Sequence, residues 1–128
     1  MNRVQKLEAC KAAYDALQTQ LHFVKLQRSI VPPTPDVDCV LAESMAAAES
    51  ALVAARRAYR ESASAAVVAL AELDGREYDV LIRYYVLGCT TRTIAIQRGE
   101  SHRTITRAKA RGLEILAASK SNEEDGYE

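Results

Sequence analysis

Apolar residues recur in a heptad pattern along the first 73 residues. In the first segment they alternate at three- and four-residue steps, at Leu7, Cys10, Tyr14, Leu17, Leu21 and Val24. A second series with the same spacing comprises Leu41, Met45, Ala48, Leu52, Ala55, Tyr59, Ser62, Ala66, Ala69 and Leu73. This spacing predicts two α-helices that each carry one apolar seam. At 1.5 Å per residue, the helices would be about 40 Å and about 50 Å long.

A cluster of three prolines separates the two series. Each proline lacks an amide donor and restrains the residue before it, so residues 29–37 are predicted to form a connector. Asp36 or Asp38 is then expected to cap the second helix. A short connector between two heptad helices predicts an antiparallel, coiled-coil-like hairpin over residues 1–73. Because alanine-rich seams bury little area, we expect this hairpin to mediate homodimer formation.

Residues 74–118 have the pattern of a small helix-turn-helix domain. A supporting amphipathic helix is predicted from Arg76 to Leu87 and is followed by the motif itself. Gly99 stands where the first helix of the motif must end, and Ser101 is a natural N-cap for the second. The motif core comprises Ile94, Ala95, Gly99, Ile105 and Leu113. These intervals are typical of DNA-binding helix-turn-helix proteins, although two short helices joined by a glycine turn also occur elsewhere.

Charge adds a second argument for DNA. The chain has no net charge, yet residues 91–112 contain six basic residues and one acidic residue. Such a local excess is typical of a phosphate-binding surface. Helical periodicity predicts the base-reading positions to be His102, Arg103, Thr106 and Arg107. The predicted phosphate contacts are Arg92, Arg98, Ser101, Thr104, Lys109 and Arg111.

Composition favours the all-α class and no catalytic chemistry. The chain has 128 residues, no tryptophan and few glycines, which suits helices packed by small side chains. Cys10, Cys39 and Cys89 form no Cys-x-x-Cys pair and are expected to be reduced thiols. Known catalytic motifs are absent, so neither catalytic residues, a metal nor a cofactor is predicted, and an enzyme is not expected.

The two ends of the sequence also carry expectations. The first residues lack an apolar signal core, and no apolar run approaches membrane-spanning length, which predicts a soluble intracellular protein without a membrane partner. Residues 119–128 are polar and acidic and are predicted to form a disordered tail.

The C-terminal part resembles region four of primary sigma factors, which binds the −35 promoter element. The resemblance begins at residues 73–88, Leu-Asp-Gly-Arg-Glu-Tyr-Asp-Val-Leu-Ile-Arg-Tyr-Tyr-Val-Leu-Gly, and continues through residues 104–113, Thr-Ile-Thr-Arg-Ala-Lys-Ala-Arg-Gly-Leu. It implies the same four base-reading positions. Over its full length the chain is similar to phage late-transcription regulators of the RinA and ArpU type. This implies an accessory regulator in the bacterial cytoplasm, because the promoter-melting regions of sigma factors are missing.

The leading hypothesis is a sequence-specific transcription regulator of phage or prophage origin. It would bind double-stranded DNA as a homodimer, with RNA polymerase as a further candidate partner. One alternative is a DNA-packaging protein resembling a small terminase subunit, which also joins a helix-turn-helix to oligomerising helices. A ring of eight or more copies would favour that alternative. A third hypothesis is a protein-interaction module that contacts RNA polymerase without binding DNA.

Overall fold

The computed structural model describes residues 1–29 and 35–125, with side chains described for residues 1–29 and 40–118. Its helices are α1 (Arg3–Arg28), α2 (Pro35–Ala69), α3 (Gly75–Leu81), α4 (Thr91–Arg98) and α5 (His102–Asp125). A π-helical turn, Ile82–Val86, continues α3. The described residues contain no strand, which confirms the predicted all-α class. No helix within these ranges has both the length and the apolar character needed to cross a membrane.

Helices α1 and α2 pack side by side in opposite directions. Arg28, at the end of α1, pairs with Glu49 at 2.7 Å, whereas Arg3, at its start, pairs with Glu72 at 2.7 Å. Every residue of the two predicted seams is buried or half-buried. The long N-terminal helix pair is therefore confirmed, and heptad spacing explains its contact face.

The ends of these two helices differ in detail from the prediction. Helix α2 begins at Pro35, a favoured first helical residue, so Asp36 and Asp38 lie inside its first turn and not at the N-cap. Their side chains, that of Cys39 and connector residues 30–34 lie outside the described residues. Helix α2 ends at Ala69, and a turn carries the chain through residues 70–72.

Helix α5 is longer than expected. It continues to Asp125, so residues 119–125 of the predicted disordered tail have a helical backbone. The backbone of this segment thus continues α5 in spite of its polar and acidic composition. Residues 126–128 lie outside the described residues.

One apolar cluster joins the base of the helix pair to the C-terminal helices. Leu7 of α1, Leu70 after α2, Leu81 of α3 and Leu116 of α5 are all fully buried in it. These contacts cross the predicted boundary between residues 73 and 74, while the division into two domains stays a prediction. The hairpin and the C-terminal helices therefore share one core.

Two tyrosines of the helix pair hold the π-helical turn in place. The Tyr59 hydroxyl donates a hydrogen bond of 2.6 Å to the Val86 carbonyl oxygen. The Tyr14 ring lies against Gly88, where an added Cβ would be 2.1 Å from Cε1 of Tyr14. Gly88 also has a φ of +73°, which glycine adopts without strain. These contacts fix the direction in which the chain enters α4.

We predict that replacing Leu7 by alanine destabilises the whole molecule. Leu7 is fully buried in the shared cluster, so Leu7→Ala should lower the free energy of unfolding by about 2–5 kcal/mol. Leu26→Ala, at a half-exposed site on the same helix, should change it by less than about 0.5 kcal/mol. Urea denaturation followed by circular dichroism measures both. Equal losses would mean that the shared cluster does not hold the fold together.

Candidate nucleic-acid interface

Helices α4 and α5 meet over a small apolar cluster. Ile94 and Ala95 of α4 pack with Ile105 and Ala108 of α5, and Val80 of α3 completes the cluster. Ile94, Ile105 and Val80 are fully buried. The sequence predicted the two isoleucines and Ala95 as core residues but missed Val80. An amphipathic helix is expected to bury one side only, and Val80 lies on the other side of the supporting helix.

The turn between α4 and α5 is fixed by local hydrogen bonds. Gly99 has φ +66° and ends α4 in the left-handed conformation, and the Glu100 amide donates to the Ala95 carbonyl oxygen at 3.0 Å. Ser101 then accepts a hydrogen bond of 3.1 Å from the Thr104 amide, as expected for the N-cap of α5. Gly99 and Ser101 thus shape the turn that joins α4 to α5.

Gly112 allows a close crossing of α5 over α3. A Cβ at this position would lie 2.8 Å from Cδ1 of Leu81, closer than normal packing permits. Leu113, predicted as a core residue of the motif, is only partly buried, and it packs against the shared cluster instead of the α4–α5 cluster.

Charged side chains brace the α4–α5 unit against α3. The Asp79 carboxylate accepts hydrogen bonds from Arg83 at 3.0 Å and from Arg98 at short range. Arg98 also donates to Glu100 at 2.5 Å, and Glu100 pairs with Arg76 at 2.8 Å. These five residues form the Asp79 network. It links the start of α3 to the turn between α4 and α5.

The Asp79 network changes the pKa of both its carboxyl groups. Desolvation raises the pKa of Asp79, but hydrogen bonds from Arg83 and Arg98 outweigh it and leave the pKa below its ordinary value. The hydrogen bond from Arg98 is the main cause of the lowered pKa of Glu100. Both carboxyl groups are therefore protonated at a lower pH in the folded protein than in the unfolded chain.

Two cations predicted to bind DNA phosphates are engaged inside the protein. Arg98 is committed to Asp79 and Glu100. Lys109 is half-buried, with Nζ 3.8 Å from the centroid of the Tyr84 ring. Arg98 is thus paired with two carboxylates and Lys109 stacks on an aromatic ring, while their phosphate contacts stay a prediction. Asp79 and Tyr84 can be read in the sequence, but only the fold places them beside Arg98 and Lys109.

Several hydroxyl and imidazole groups at the start of α5 also have internal partners. His102 Nε2 lies 2.9 Å from Oγ1 of Thr91, which ties α5 to α4. Thr106 donates to the His102 carbonyl oxygen at 2.9 Å, and Ser101 and Thr104 are hydrogen-bonded to each other at 2.9 Å. His102 and Thr106 are nevertheless exposed, so their carbon atoms stay accessible.

Four arginines of α4 and α5 are exposed, and we term them together the α4–α5 basic face: Arg92, Arg103, Arg107 and Arg111. Three of them have no carboxylate partner among the described residues. Only Arg111 has a partner, since its Nε lies 3.5 Å from Glu77, and the Arg111 side chain is 74% exposed. The basic face therefore carries charge that the described residues leave largely uncompensated.

The described residues contain no cluster of three or more side chains suited to holding a metal ion. No protein-family model, curated protein or solved structure matches this chain significantly. The geometry and charge of the α4–α5 unit are therefore the basis for assigning a function.

We predict that Asp79→Asn weakens the fold and flattens its response to acid. A carboxylate with a lowered pKa adds stability above its unfolded-state pKa, and this contribution is lost as pH falls through the folded-state pKa. The variant should lose about 1–2 kcal/mol of unfolding free energy at pH 7 and less near pH 3, where the unfolded-state carboxyl is already largely protonated. Urea denaturation at both pH values measures this. Asp15→Asn, at an exposed position on α1, is the control, and an equal loss at both pH values would contradict the prediction.

Proposed function

We propose that this protein is a sequence-specific DNA-binding transcription regulator, with α4 and α5 acting as a helix-turn-helix. The observation that carries the proposal is the α4–α5 basic face on a chain that has no net charge. Its arginines project from a rigid unit whose turn, cap and core have the intervals of this motif. An uncompensated cationic surface of this kind favours phosphate as its ligand.

The first turns of α5 would enter the major groove. Arg103 and Arg107 are one turn apart, about 6 Å along the helix, so both can reach neighbouring base pairs. Arg92 and Arg111 flank them and would contact phosphates. The Thr106 methyl group is available to a thymine methyl. His102 would chiefly position α5 through its contact with Thr91.

We further propose a regulator of phage late genes that acts as a homodimer through the long helices. Support comes from the sequence resemblance to RinA- and ArpU-type regulators and from the length of the α1–α2 pair, which exceeds what a small helix-turn-helix unit needs. Contact with RNA polymerase would follow from the sigma region-four resemblance. A defined oligomer of two copies separates this proposal from a packaging ring.

Duplex DNA binding should weaken steeply with salt. If Arg92 and Arg111 each neutralise one phosphate, each bound copy should contribute about −2 to the slope of log affinity against log salt. Fluorescence anisotropy with promoter-length duplexes from the genome that encodes the protein, over a range of salt concentrations, measures the slope. A flat response, or no binding at low salt, would refute DNA binding.

Base readout and phosphate contact should separate by variant. Arg103→Ala and Arg107→Ala should each cost about 1–3 kcal/mol on the preferred site and reduce discrimination against scrambled duplex. Arg111→Ala should weaken both duplexes equally and lower the salt slope by about one. Arg57→Ala, on α2, serves as a control far along the chain from this face. An unchanged specific-to-scrambled ratio in the first two variants would reduce α5 to a phosphate clamp.

A further inference from the structure

An open groove between α1 and α2 lies apart from the α4–α5 basic face. It has a volume of about 390 Å³ and is lined by Leu17, Val53 and Tyr59, with Arg56 and Arg60 beside them. Leu17 belongs to the buried seam, whereas Val53 is 63% exposed. The groove therefore combines an apolar floor with two guanidinium groups at its margin.

The two arginines of this groove are uncompensated. Neither Arg56 nor Arg60 has a carboxylate partner among the described residues, although Arg28 pairs with Glu49 at 2.7 Å nearby on the helix pair. A guanidinium group binds a carboxylate through strong, often paired, hydrogen bonds. The chemistry of the groove thus fits an acidic peptide that also carries an apolar or aromatic side chain.

The sequence contains such a peptide. Residues 119–128 contain four acidic residues, one aromatic residue and a single lysine. The residues with the required chemistry are Glu123, Glu124, Asp125, Tyr127 and Glu128. Within the described residues, α5 packs against α1, α3 and α4 and makes no extended contact with α2. These contacts attach α5 to elements other than α2, so we take a second copy of the chain as the occupant of the groove.

We propose that this groove binds the acidic segment, residues 119–128, of a second copy of the chain. The carboxylates would pair with Arg56 and Arg60, and the Tyr127 ring would cover Leu17 and Val53. Exchange of the segment in both directions gives a closed twofold dimer. The inference deepens the proposed homodimer, on which it rests, and it requires no DNA.

The first test neutralises the segment in the full-length chain. Glu123→Gln, Glu124→Gln and Asp125→Asn together should weaken self-association at least about tenfold, as measured by sedimentation at micromolar concentration. Arg56→Glu with Arg60→Glu should have the same effect. Arg57→Glu is the matched control, because Arg57 lies outside the lining of this groove and faces Glu61 at 3.8 Å.

The second test uses a fluorescent peptide of residues 119–128 as the probe. It should bind the full-length chain carrying the neutralised segment and should fail to bind when Arg56→Glu and Arg60→Glu are added. A peptide with Glu123→Lys and Glu124→Lys should recover binding to that charge-reversed groove. Recovery requires direct charge contact and excludes a general loss of folding.

The inference is overturned if the peptide does not bind, if it binds regardless of Arg56 and Arg60, or if neutralising the segment leaves self-association unchanged. A further result would also overturn it: the peptide does not bind, and Arg56→Glu with Arg60→Glu weakens duplex binding as much as Arg107→Ala does. The groove would then be a DNA contact. DNA affinity of the dimer-deficient variants is measured separately on a single half-site. If these variants still bind the half-site, the proposed DNA-binding function stands even when the groove proposal is refuted.

Discussion

Burial of α3 on two opposite sides is the constraint on which the rest of this structure depends. Leu81 enters the cluster shared with α1 and α5, while Val80, its immediate neighbour, enters the cluster between α4 and α5. A helix that is apolar on two sides must be covered on both. Helix α3 therefore contributes buried side chains to two separate apolar clusters. Removing either cover would expose fully buried aliphatic side chains and cost several kcal/mol.

The two kinds of contact around α3 have different roles. Apolar packing supplies the non-directional stabilisation, whereas the Asp79 network fixes the angle at which the turn between α4 and α5 meets α3. The network is partly exposed, so its net contribution to stability is modest, but several charges acting together specify geometry. The outward direction of Arg103 and Arg107 depends on that geometry. A positional role for the network is thus separate from its role in stability.

Much of the fold could be predicted from the sequence, because the relevant signals are local and periodic. Heptad spacing identified the contact faces of α1 and α2, and the combination of Gly99 with Ser101 located the turn. The availability of individual charges could not be predicted in this way. Arg98 and Arg103 look alike along the chain, yet Arg98 meets Asp79, 19 residues away, and Arg103 meets no carboxylate among the described residues. Whether a cation is free depends on tertiary neighbours, which a single sequence does not specify.

Helix α5 belongs to two regions at once, and this has a mechanical consequence. Its N-terminal turns carry the exposed arginines, whereas Leu116, farther along the same unbroken helix, is clamped in the core beneath the hairpin. Because Ile105 and Ala108 also pack these N-terminal turns on α3 and α4, the exposed arginines are attached rigidly to the body of the molecule. In a symmetric dimer bound to DNA, this rigid attachment would fix the spacing between the two half-sites. An operator whose half-sites are shifted by a few base pairs would then bind poorly, because the second half-site would be rotated around the DNA axis away from its α5. This selection would not depend on any base contact.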